Sequence, residues 1–482
     1  MIDFRPVGYA IGLLVTAFGL FMLVPAALDF LLDNGSAGTF AISALITVVL
    51  GGVVSLATAN ASLVGLTIRQ TFLLTTLSWL VLPLFGAIPF WIGAPNLSYT
   101  DAFFEAMSGL TTTGSTVING LDDLPKGTLL WRGLMQWFGG IGIIVVAIAF
   151  LPTLKVGGMQ AFRSEGFETM GKVLPRAAEI ASTISVIYVG LTAVTAVAFA
   201  MTGMNFFDAV VHGMTTLSTG GFANYDASFG AFKGAPEYVA SVFMILASLP
   251  FVRYVQMLNG TARPLLRDTQ VHAFLALAAA LVVVVALFRI FDEGAPLEES
   301  IRESLFNVAS ILSGTGFSSE DYGLWGAFPV VLFFLMGLVG GCAGSTCCSV
   351  KIFRYQLLVA AIKSQIQKIH SPNGVFITRY QGRPVGDDLL GSVMAFFVAF
   401  MLTLATVTVI LSLLGLDPIT AISGAATALA NIGPGLGPEI GPSGNFAGLP
   451  DSAKWVLSFT MLIGRLELLS VYVLFTIAFW RG

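Results

Sequence analysis

Charged residues are scarce in this sequence. Asp, Glu, Lys and Arg together make up 10% of its 482 residues, whereas hydrophobic residues make up 56%. A soluble globular chain carries about 25% charged residues, so this composition excludes an ordinary water-soluble domain. The chain therefore needs the lipid bilayer as its solvent.

Cysteine and histidine are also rare, at three residues each. The cysteines fall within one short segment, which excludes a disulfide framework, and the histidines lie in separate segments. No paired carboxylates, metal-ligand cluster or nucleophile with a base stand in convergent positions within the apolar runs, so the sequence does not predict an enzyme. The residues are Cys342, Cys347, Cys348, His212, His272 and His370.

Long apolar runs are present instead. Crossing the roughly 30 Å hydrocarbon core takes about 20 apolar residues, because a helix rises about 1.5 Å per residue. The first run is long and lacks a convincing small-residue cleavage site, so we interpret it as a retained helix and not as a signal peptide. Ten candidate spans result, at about 7–32, 39–66, 71–93, 128–151, 180–203, 237–252, 271–291, 327–350, 389–415 and 453–480.

The distribution of charge predicts the orientation of these spans. With the N-terminus in the cytoplasm, sixteen of the 23 Lys and Arg residues fall inside, among them Lys155, Arg163, Lys172 and Arg176. This satisfies the positive-inside rule and places both termini in the cytoplasm. The outer segments collect acids that could concentrate cations, although ordinary solvated loops explain any single one equally well. These acids are Asp122, Asp123, Asp292, Glu293, Glu298, Glu299, Glu320 and Asp321.

Four of the outer connections share one residue register. Each begins with a short amphipathic stretch, too brief to cross the membrane, and ends in the pattern Leu-x-x-x-Gly, which is typical of a re-entrant segment. A small hydroxylated residue stands six positions before each final glycine, and an acid or threonine stands thirteen before it, where it would cap a short helix. The glycines are Gly114, Gly221, Gly316 and Gly433, the hydroxylated residues are Ser108, Thr215, Ser310 and Thr427, and the helix starts are Asp101, Asp208, Glu303 and Thr420.

These loops have the composition of a cation filter. A dehydrated monovalent cation needs several neutral oxygens, which backbone carbonyls provide, and glycine allows those carbonyls to turn toward an axis. One such cluster alone would favour an ordinary turn, but four in phase favour a pore. The predicted ion-binding residues are Thr112, Thr113, Gly114, Thr219, Gly220, Gly221, Gly314, Thr315, Gly316, Asn431, Ile432 and Gly433.

The four loops resemble those of the Trk/Ktr/HKT superfamily, and in particular of its TrkH branch, over the whole chain. The residues that carry the resemblance are Thr-Thr-Gly114-Ser-Thr, Ser-Thr-Gly-Gly221-Phe, Gly-Thr-Gly316-Phe-Ser and Asn-Ile-Gly433-Pro-Gly. The resemblance implies a potassium-translocating subunit, a homodimer, and a cytosolic regulatory partner of the TrkA type. K⁺ is then the transported ion at the filter, and a nucleotide of the ATP/ADP or NAD type is expected only on the partner.

Two features indicate a gate. The run from Met336 to Val350 is so rich in small residues that we expect the helix to break there, and the resemblance implies an intramembrane gating loop at 337–349; small-residue helix packing is the alternative. Arg465 lies within the last span, where an arginine is costly. The resemblance implies that its side chain points into the pore below the filter, and pairing with a carboxylate or with loop carbonyls is the competing interpretation. The predicted gate residues are Gly337, Gly340, Gly341, Gly344, Ser345, Thr346 and Arg465.

Other candidates have weaker support. TrkH-like proteins usually have further glycines where this chain has Cys347 and Cys348, which puts the flexibility of the gating loop in question. His212 fits a hydrogen-bonded packing residue better than a proton relay. The basic stretch between Lys351 and Arg383 could dock a partner, contact anionic lipid, or only direct topology.

The expected fold is an all-α polytopic membrane protein with ten transmembrane helices, four re-entrant half-helices and a pseudo-fourfold repeat. We expect a two-helix extension at 1–66 and repeats at 67–152, 153–256, 257–384 and 385–482. The expected function is K⁺ translocation across a bacterial inner membrane. The alternative is a secondary transporter of sodium or another small cation, coupled to protons or sodium, but that class often uses inverted repeats, whereas these repeats all start on the same side.

Overall fold

The computed structural model describes residues 2–61, 66–149, 158–159 and 177–481, and most of these residues are helical. Seven helices are long and apolar enough to cross a membrane, and two bent helix pairs also qualify in the described part of the chain. The expectation of an all-helical polytopic membrane protein is thus confirmed, and the count of ten spans stays a prediction. Lys155, Arg163, Lys172 and Arg176, which entered the orientation argument, lie outside the described residues.

An N-terminal group of helices packs against the first unit of the fold. Phe18 packs against Trp131 with tilted rings whose centroids lie 4.9 Å apart, and both belong to a buried cluster that also contains Phe40 and Leu457. This cluster joins the beginning of the chain to its end. The N-terminal helices are α1 (Arg5–Phe21), α2 (Leu23–Leu31) and α3 (Ala37–Ala57).

Each of the following four units contains a long helix, a short buried helix and a returning helix. The first unit consists of α4 (Ile68–Gly86), α5 (Ile88–Ile92), α6 (Tyr99–Leu110) and α7 (Lys126–Ala149). The second consists of α8 (Ala177–Met201), α9 (Phe206–Leu217), α10 (Ala235–Ala247) and α11 (Phe251–Leu258), followed by α12 (Arg263–Leu266).

The third unit contains the four short strands of the described residues. Its elements are α13 (Thr269–Phe288), α14 (Leu297–Ser313), α15 (Ala327–Gly337), β1 (Val339–Gly340), β2 (Val350–Lys351), α16 (Ile352–His370), β3 (Arg379–Tyr380) and β4 (Arg383–Pro384). Strands β1 and β2 pair in parallel, and β3 and β4 pair antiparallel. The fourth unit consists of α17 (Asp387–Leu413), α18 (Pro418–Ala430), α19 (Gly437–Ile440), α20 (Asp451–Arg465), α21 (Leu469–Tyr472) and α22 (Ile477–Arg481).

The returning helices break in the second, third and fourth units. The sequence had indicated the break in the third unit. Between α10 and α11 the chain bends by 90°, and between α20 and α21 it bends by 104°. Pro250 lies at the first bend, where it has no amide hydrogen to donate. The second bend contains Glu467 and Leu468, two non-glycine residues with positive φ. The sequence thus predicted the break in the third unit and did not reveal those in the second and fourth units.

Candidate ion-conducting site

The four short helices α6, α9, α14 and α18 begin with different caps. Ser98, Asn205 and Asp417 each accept a backbone amide with the side chain at the start of α6, α9 and α18, respectively. Asp101, Asp208 and Thr420 follow in the first turn, as the register suggested. Helix α14 begins earlier, after Pro296, so Glu303 lies within the helix and not at its start.

These acids make contacts of their own. Asp101 forms an ion pair of 2.6 Å with Lys454 on the returning helix of the fourth unit. Asp208 accepts hydrogen bonds from Tyr225 and Asn224, both at 2.7 Å. Burial, followed by the hydrogen bond to Asp208, raises the pKa of the Tyr225 phenol to about 12, so the phenol remains a donor at neutral pH. Each acid thus connects its helix to a segment outside it.

The loops after the four short helices share one backbone conformation. The final glycine of each loop has positive φ, and so does the residue two positions before it. In three loops that earlier residue is not glycine, and a non-glycine residue in this region costs about 1–3 kcal/mol. The φ values are +88°, +78°, +80° and +114° for Gly114, Gly221, Gly316 and Gly433, and +51°, +50°, +73° and +52° for Thr112, Thr219, Gly314 and Asn431.

One backbone hydrogen bond recurs in all four loops. The amide of the residue just before the final glycine donates to the carbonyl of the hydroxylated residue six positions before that glycine. These bonds are Thr113 to Ser108 at 2.9 Å, Gly220 to Thr215 at 2.9 Å, Thr315 to Ser310 at 2.8 Å and Ile432 to Thr427 at 3.1 Å. The bonds fix the loops in their left-handed conformation, and they explain part of the register found in the sequence.

The four loops meet in a closed ring. The α-carbon of each final glycine lies against the carbonyl oxygen that precedes the corresponding glycine in the next unit. A Cβ atom on Gly433 would lie 2.9 Å from the Thr113 oxygen, and one on Gly221 or Gly316 would overlap the next unit's oxygen. The ring contacts are Gly114 with Gly220, Gly221 with Thr315, Gly316 with Ile432, and Gly433 with Thr113.

This ring brings neutral oxygens from four units close together without charged side chains, which is the chemistry that a dehydrated monovalent cation requires. One of these oxygens, the Gly220 carbonyl, also accepts a hydrogen bond from a side chain outside the ring. The Gln136 side chain donates to the Gly220 carbonyl and accepts from the Phe222 amide at 3.0 Å. Gln136 was not among the predicted site residues, and it connects α7 to the loop of the second unit.

A cavity of about 170 Å³ opens on one side of the ring, and all four final glycines line it. None of the eight acids that the sequence suggested for a vestibule lines this cavity in the described part of the chain. The exposed carboxylate at its rim is Asp226, which accepts the amides of Gly120 at 2.8 Å and Leu121 at 3.0 Å. In the sequence, the only indication of this role of Asp226 is its position five residues after Gly221.

A buried ion pair lies behind the first two loops. Arg132 donates to Glu105 at 2.8 Å and to the Ala223 carbonyl at 2.7 Å, and its guanidinium lies 4.1 Å from the centre of the Phe222 ring. Glu105 also accepts the Val117 amide at 3.0 Å. The pair therefore joins the segment that follows the first loop to the segment that follows the second. No signal in the sequence indicated this role of Arg132.

The candidate gating segment packs against the bend of the second unit. The Cys342 amide donates to the Ser248 carbonyl at 3.0 Å, and the Thr346 hydroxyl donates to the Ala247 carbonyl at 3.1 Å. In return, the Phe251 amide donates to the Gly344 carbonyl at 2.9 Å. The bend thus uses its free backbone groups to bind the segment.

All seven predicted gate residues are buried. Gly337 is the last residue of α15 and Gly340 lies in β1, so the helix does break within the predicted run. The remaining loop residues, Gly341, Gly344, Ser345 and Thr346, lie between the two strands. Cys347 fits beside Ser248, with its sulfur 3.0 Å from the hydroxyl oxygen.

Arg465 lies between this segment and the first unit. It donates to the Thr346 carbonyl at 3.3 Å and to the Gly139 carbonyl at 3.0 Å, and it contacts the Cys348 sulfur. Glu467 is not its partner, because that carboxylate pairs with Arg354. Arg465 therefore contacts one loop carbonyl, that of Thr346 in the candidate gate, and one helix carbonyl, that of Gly139 in α7.

His212 is fully buried and surrounded by aromatic rings. Its Nδ1 lies 2.9 Å from the Asp208 carbonyl, and its ring centroid lies 5.0 Å from that of Phe232 and 6.0 Å from that of Phe317. These contacts are those of a packing residue. No group of three His, Cys, Asp or Glu side chains that could hold a metal occurs among the described residues.

Helices of membrane-crossing length, together with four short helices whose loops meet in a ring, define a multi-pass membrane protein. Residues 37–480 match the TrkH family, described as a cation transport protein. The chain belongs to the TrkH family. It is therefore a transport protein and not an enzyme, and the family resemblance found in the four loops is confirmed.

Individual relatives cover nearly the whole chain. It is 50% identical to the Trk system potassium uptake protein TrkI of Halomonas elongata over an alignment of 414 residues. That alignment covers 86% of this chain and 84% of the relative. It is 36% identical over 485 residues to TrkH of Escherichia coli K12, covering 99% of both. The crystal structure of the potassium transporter TrkH from Vibrio parahaemolyticus has a TM-score of 0.92 and 34% identity over 100% of both chains.

Proposed function

We propose that this protein translocates K⁺ across the bacterial inner membrane, with the ring of glycine loops as its selectivity filter. The observation that carries the proposal is the closed ring itself, in which each of the carbonyls of Thr113, Gly220, Thr315 and Ile432 lies against the final glycine of a neighbouring loop. The names of the relatives, which describe potassium uptake, favour K⁺ as the ion.

The proposed architecture has ten spans and a pseudo-fourfold axis through the ring. The fourth returning span would consist of α20 with α21, and the third would begin with α15, which has only 11 residues and continues into the candidate gate. The proposed domains remain an extension at 1–66 and repeats at 67–152, 153–256, 257–384 and 385–482. Both termini would then lie in the cytoplasm.

In this proposal, residues 337–349 and Arg465 form the gate. The segment lies next to the filter, since a Cβ atom on Gly314 would lie 3.9 Å from the Cys348 amide. A buried positive charge beside the ion path would oppose the passage of cations. Movement of the segment would have to break the Arg465 contact with the Thr346 carbonyl.

We further propose a homodimer regulated by a cytosolic TrkA-type subunit, with any nucleotide bound only on that partner. Helix α16 supports this proposal because it leads directly from β2 and the candidate gate toward the predicted cytoplasmic side. Lys363 and Lys368 are exposed on α16, where an acidic surface could bind them. A force on α16 would act on the gate through β2.

The filter is tested by Gly316→Ala against Gly294→Ala. Both glycines have positive φ, at +80° and +68°, but a Cβ atom would overlap the Ile432 oxygen only at Gly316, whereas nothing lies within 4 Å of it at Gly294. We expect Gly316→Ala to lose K⁺ uptake or its preference over Na⁺ in liposomes, and Gly294→Ala to keep both.

Equal ion fluxes in these two folded variants would contradict the filter assignment. Uptake of K⁺ or Na⁺ only in the presence of a proton or sodium gradient would instead favour the coupled secondary transporter.

A further inference from the structure

A second cavity, of about 470 Å³, lies between α1, α4 and α7. Its opening is flanked by Leu14 and Phe21 on α1, which are 44% and 45% exposed. Helix α1 is part of a stretch long and apolar enough to cross a membrane, so its exposed apolar side chains face hydrocarbon in the bilayer. The cavity therefore opens toward lipid chains.

The wall of this cavity is predominantly apolar. No charged side chain lines it in the described part of the chain, and the hydroxyls at its wall are already engaged. Thr75 donates to the Thr71 carbonyl at 2.9 Å, Ser78 to Leu74 at 2.6 Å and Ser185 to Ala181 at 2.8 Å. A water molecule needs two to four polar partners, and apolar cavities without them stay empty of water but accept apolar guests.

The inner end of the cavity adjoins the candidate gate arginine. Trp79 and Gly139 both line the cavity, and both are contacts of Arg465. The Arg465 guanidinium lies 5.6 Å from the centre of the Trp79 ring, and it donates to the Gly139 carbonyl at 3.0 Å. A guest in this cavity would therefore pack against the same two residues that position Arg465.

We propose that one acyl chain of a membrane lipid binds in this cavity and supports Trp79 and Gly139 in contact with Arg465. The volume falls in the usual range for ligand pockets, about 300–1,000 Å³. The acyl chain is the occupant that the structure favours, because the entrance faces hydrocarbon and the described wall is predominantly apolar and carries no charged side chain. The effect on Arg465 rests on the proposed function, whereas binding of the chain does not.

Binding is tested without measuring transport. The protein is reconstituted in phosphatidylethanolamine and phosphatidylglycerol vesicles that contain a phosphatidylglycerol with a mid-chain diazirine, then irradiated and mapped by mass spectrometry. Leu14 and Phe21 should be labelled in any case, because they face lipid. Labelling of Trp79, a buried residue of the cavity wall, is the result expected only if an acyl chain enters.

Two variants on one helix provide the control. Ser185→Leu fills the cavity, whereas Gly190→Leu points into open space on the same helix α8. We expect Ser185→Leu to abolish the labelling of Trp79 while Gly190→Leu preserves it. If Trp79 stays unlabelled in the unaltered protein, then a segment of this chain or a second copy fills the cavity and the proposal fails.

Ion flux is the separate readout for the effect on Arg465. If Ser185→Leu removes the labelling, flux should change relative to Gly190→Leu in the same vesicles. Unchanged flux with lost labelling would overturn the support of Arg465 while acyl-chain binding still holds. A failure of K⁺ selectivity in the filter experiment would not affect the labelling result.

Discussion

At the scale of single residues, buried arginines connect parts of the site that are distant in sequence. Arg132 joins the segments after the first two loops, and Arg465 joins the first unit to the candidate gate. Each is less than one-tenth exposed, so its cost of burial is offset only by the hydrogen bonds and ion pairs that it makes.

Arg132→Met should destabilise the protein strongly. Removing one partner of a buried ion pair costs about 3–5 kcal/mol, because the other charge is left without a partner. Thermal unfolding in detergent measures the effect, and the K⁺ to Na⁺ flux ratio should fall as the two segments lose their connection.

Lys233→Met is the matched control, because Lys233 pairs with Glu320 at the surface and exposed pairs contribute about 0–1 kcal/mol. Combining Arg132→Met with Glu105→Met should cost less than the sum of the two single changes, because no unpaired charge remains. Strict additivity would show that the pair is not coupled.

Arg465→Ala should increase K⁺ flux. The substitution removes a buried positive charge and its hydrogen bonds to the Thr346 and Gly139 carbonyls, so the candidate gate loses its contact with the first unit. Flux into liposomes is the measurement, and Arg5→Ala, an exposed cation at the N-terminus, is the control. Unchanged or lower flux in folded Arg465→Ala would count against the gate.

At the scale of elements, the bends in the returning helices supply backbone groups to the site. The bend between α10 and α11 binds the candidate gate through the Ala247 and Ser248 carbonyls. The bend after α20 places Glu467 beside Arg354 on α16. A straight helix would have used most of these backbone groups internally.

Thr346→Val should open the candidate gate more often. It keeps the side-chain shape but removes the hydroxyl that donates to the Ala247 carbonyl at 3.1 Å, and one such bond contributes about 0.5–1.5 kcal/mol. Single-channel or liposome flux should rise severalfold at most.

Thr408→Val serves as the control, since that hydroxyl donates only to its own helix at Leu404. If the ion flux of Thr346→Val is no higher than that of Thr408→Val, the hydrogen bond between Thr346 and Ala247 does not hold the gate closed.

At the scale of the whole molecule, the ring makes the four units interdependent. Each final glycine is packed against the next unit, and the fourth closes on the first at Thr113. The Asn431 side chain strengthens that closure by donating to the Thr113 hydroxyl at 2.9 Å. The first and last units therefore have to fold together before the filter is complete.

The proposed orientation predicts which loops are accessible from outside the cell. Leu324→Cys, at a residue 83% exposed between α14 and α15, should react with a membrane-impermeant maleimide in intact cells. Ser371→Cys, exposed after α16, should react only after the membrane is opened. The three native cysteines are buried, so we expect little background labelling from them. The opposite labelling pattern would reverse the topology.

The sequence alone determined the membrane class, the register of the four loops, the family and a helix break within residues 336–350, because apolar length and recurring glycines are local signals. It did not reveal the bend after α20, which contains no proline and depends on Glu467 reaching Arg354 more than a hundred residues away in sequence. It also missed Gln136 and Asp226, whose roles depend on which loops they face.

Only the tertiary structure decided the order of the loops around the ring and the partners of Arg465. Those contacts join carbonyls and side chains from different units, and no pattern along one segment can specify them. The sequence supplied four similar filter loops, and the packing of the units made one closed site of them.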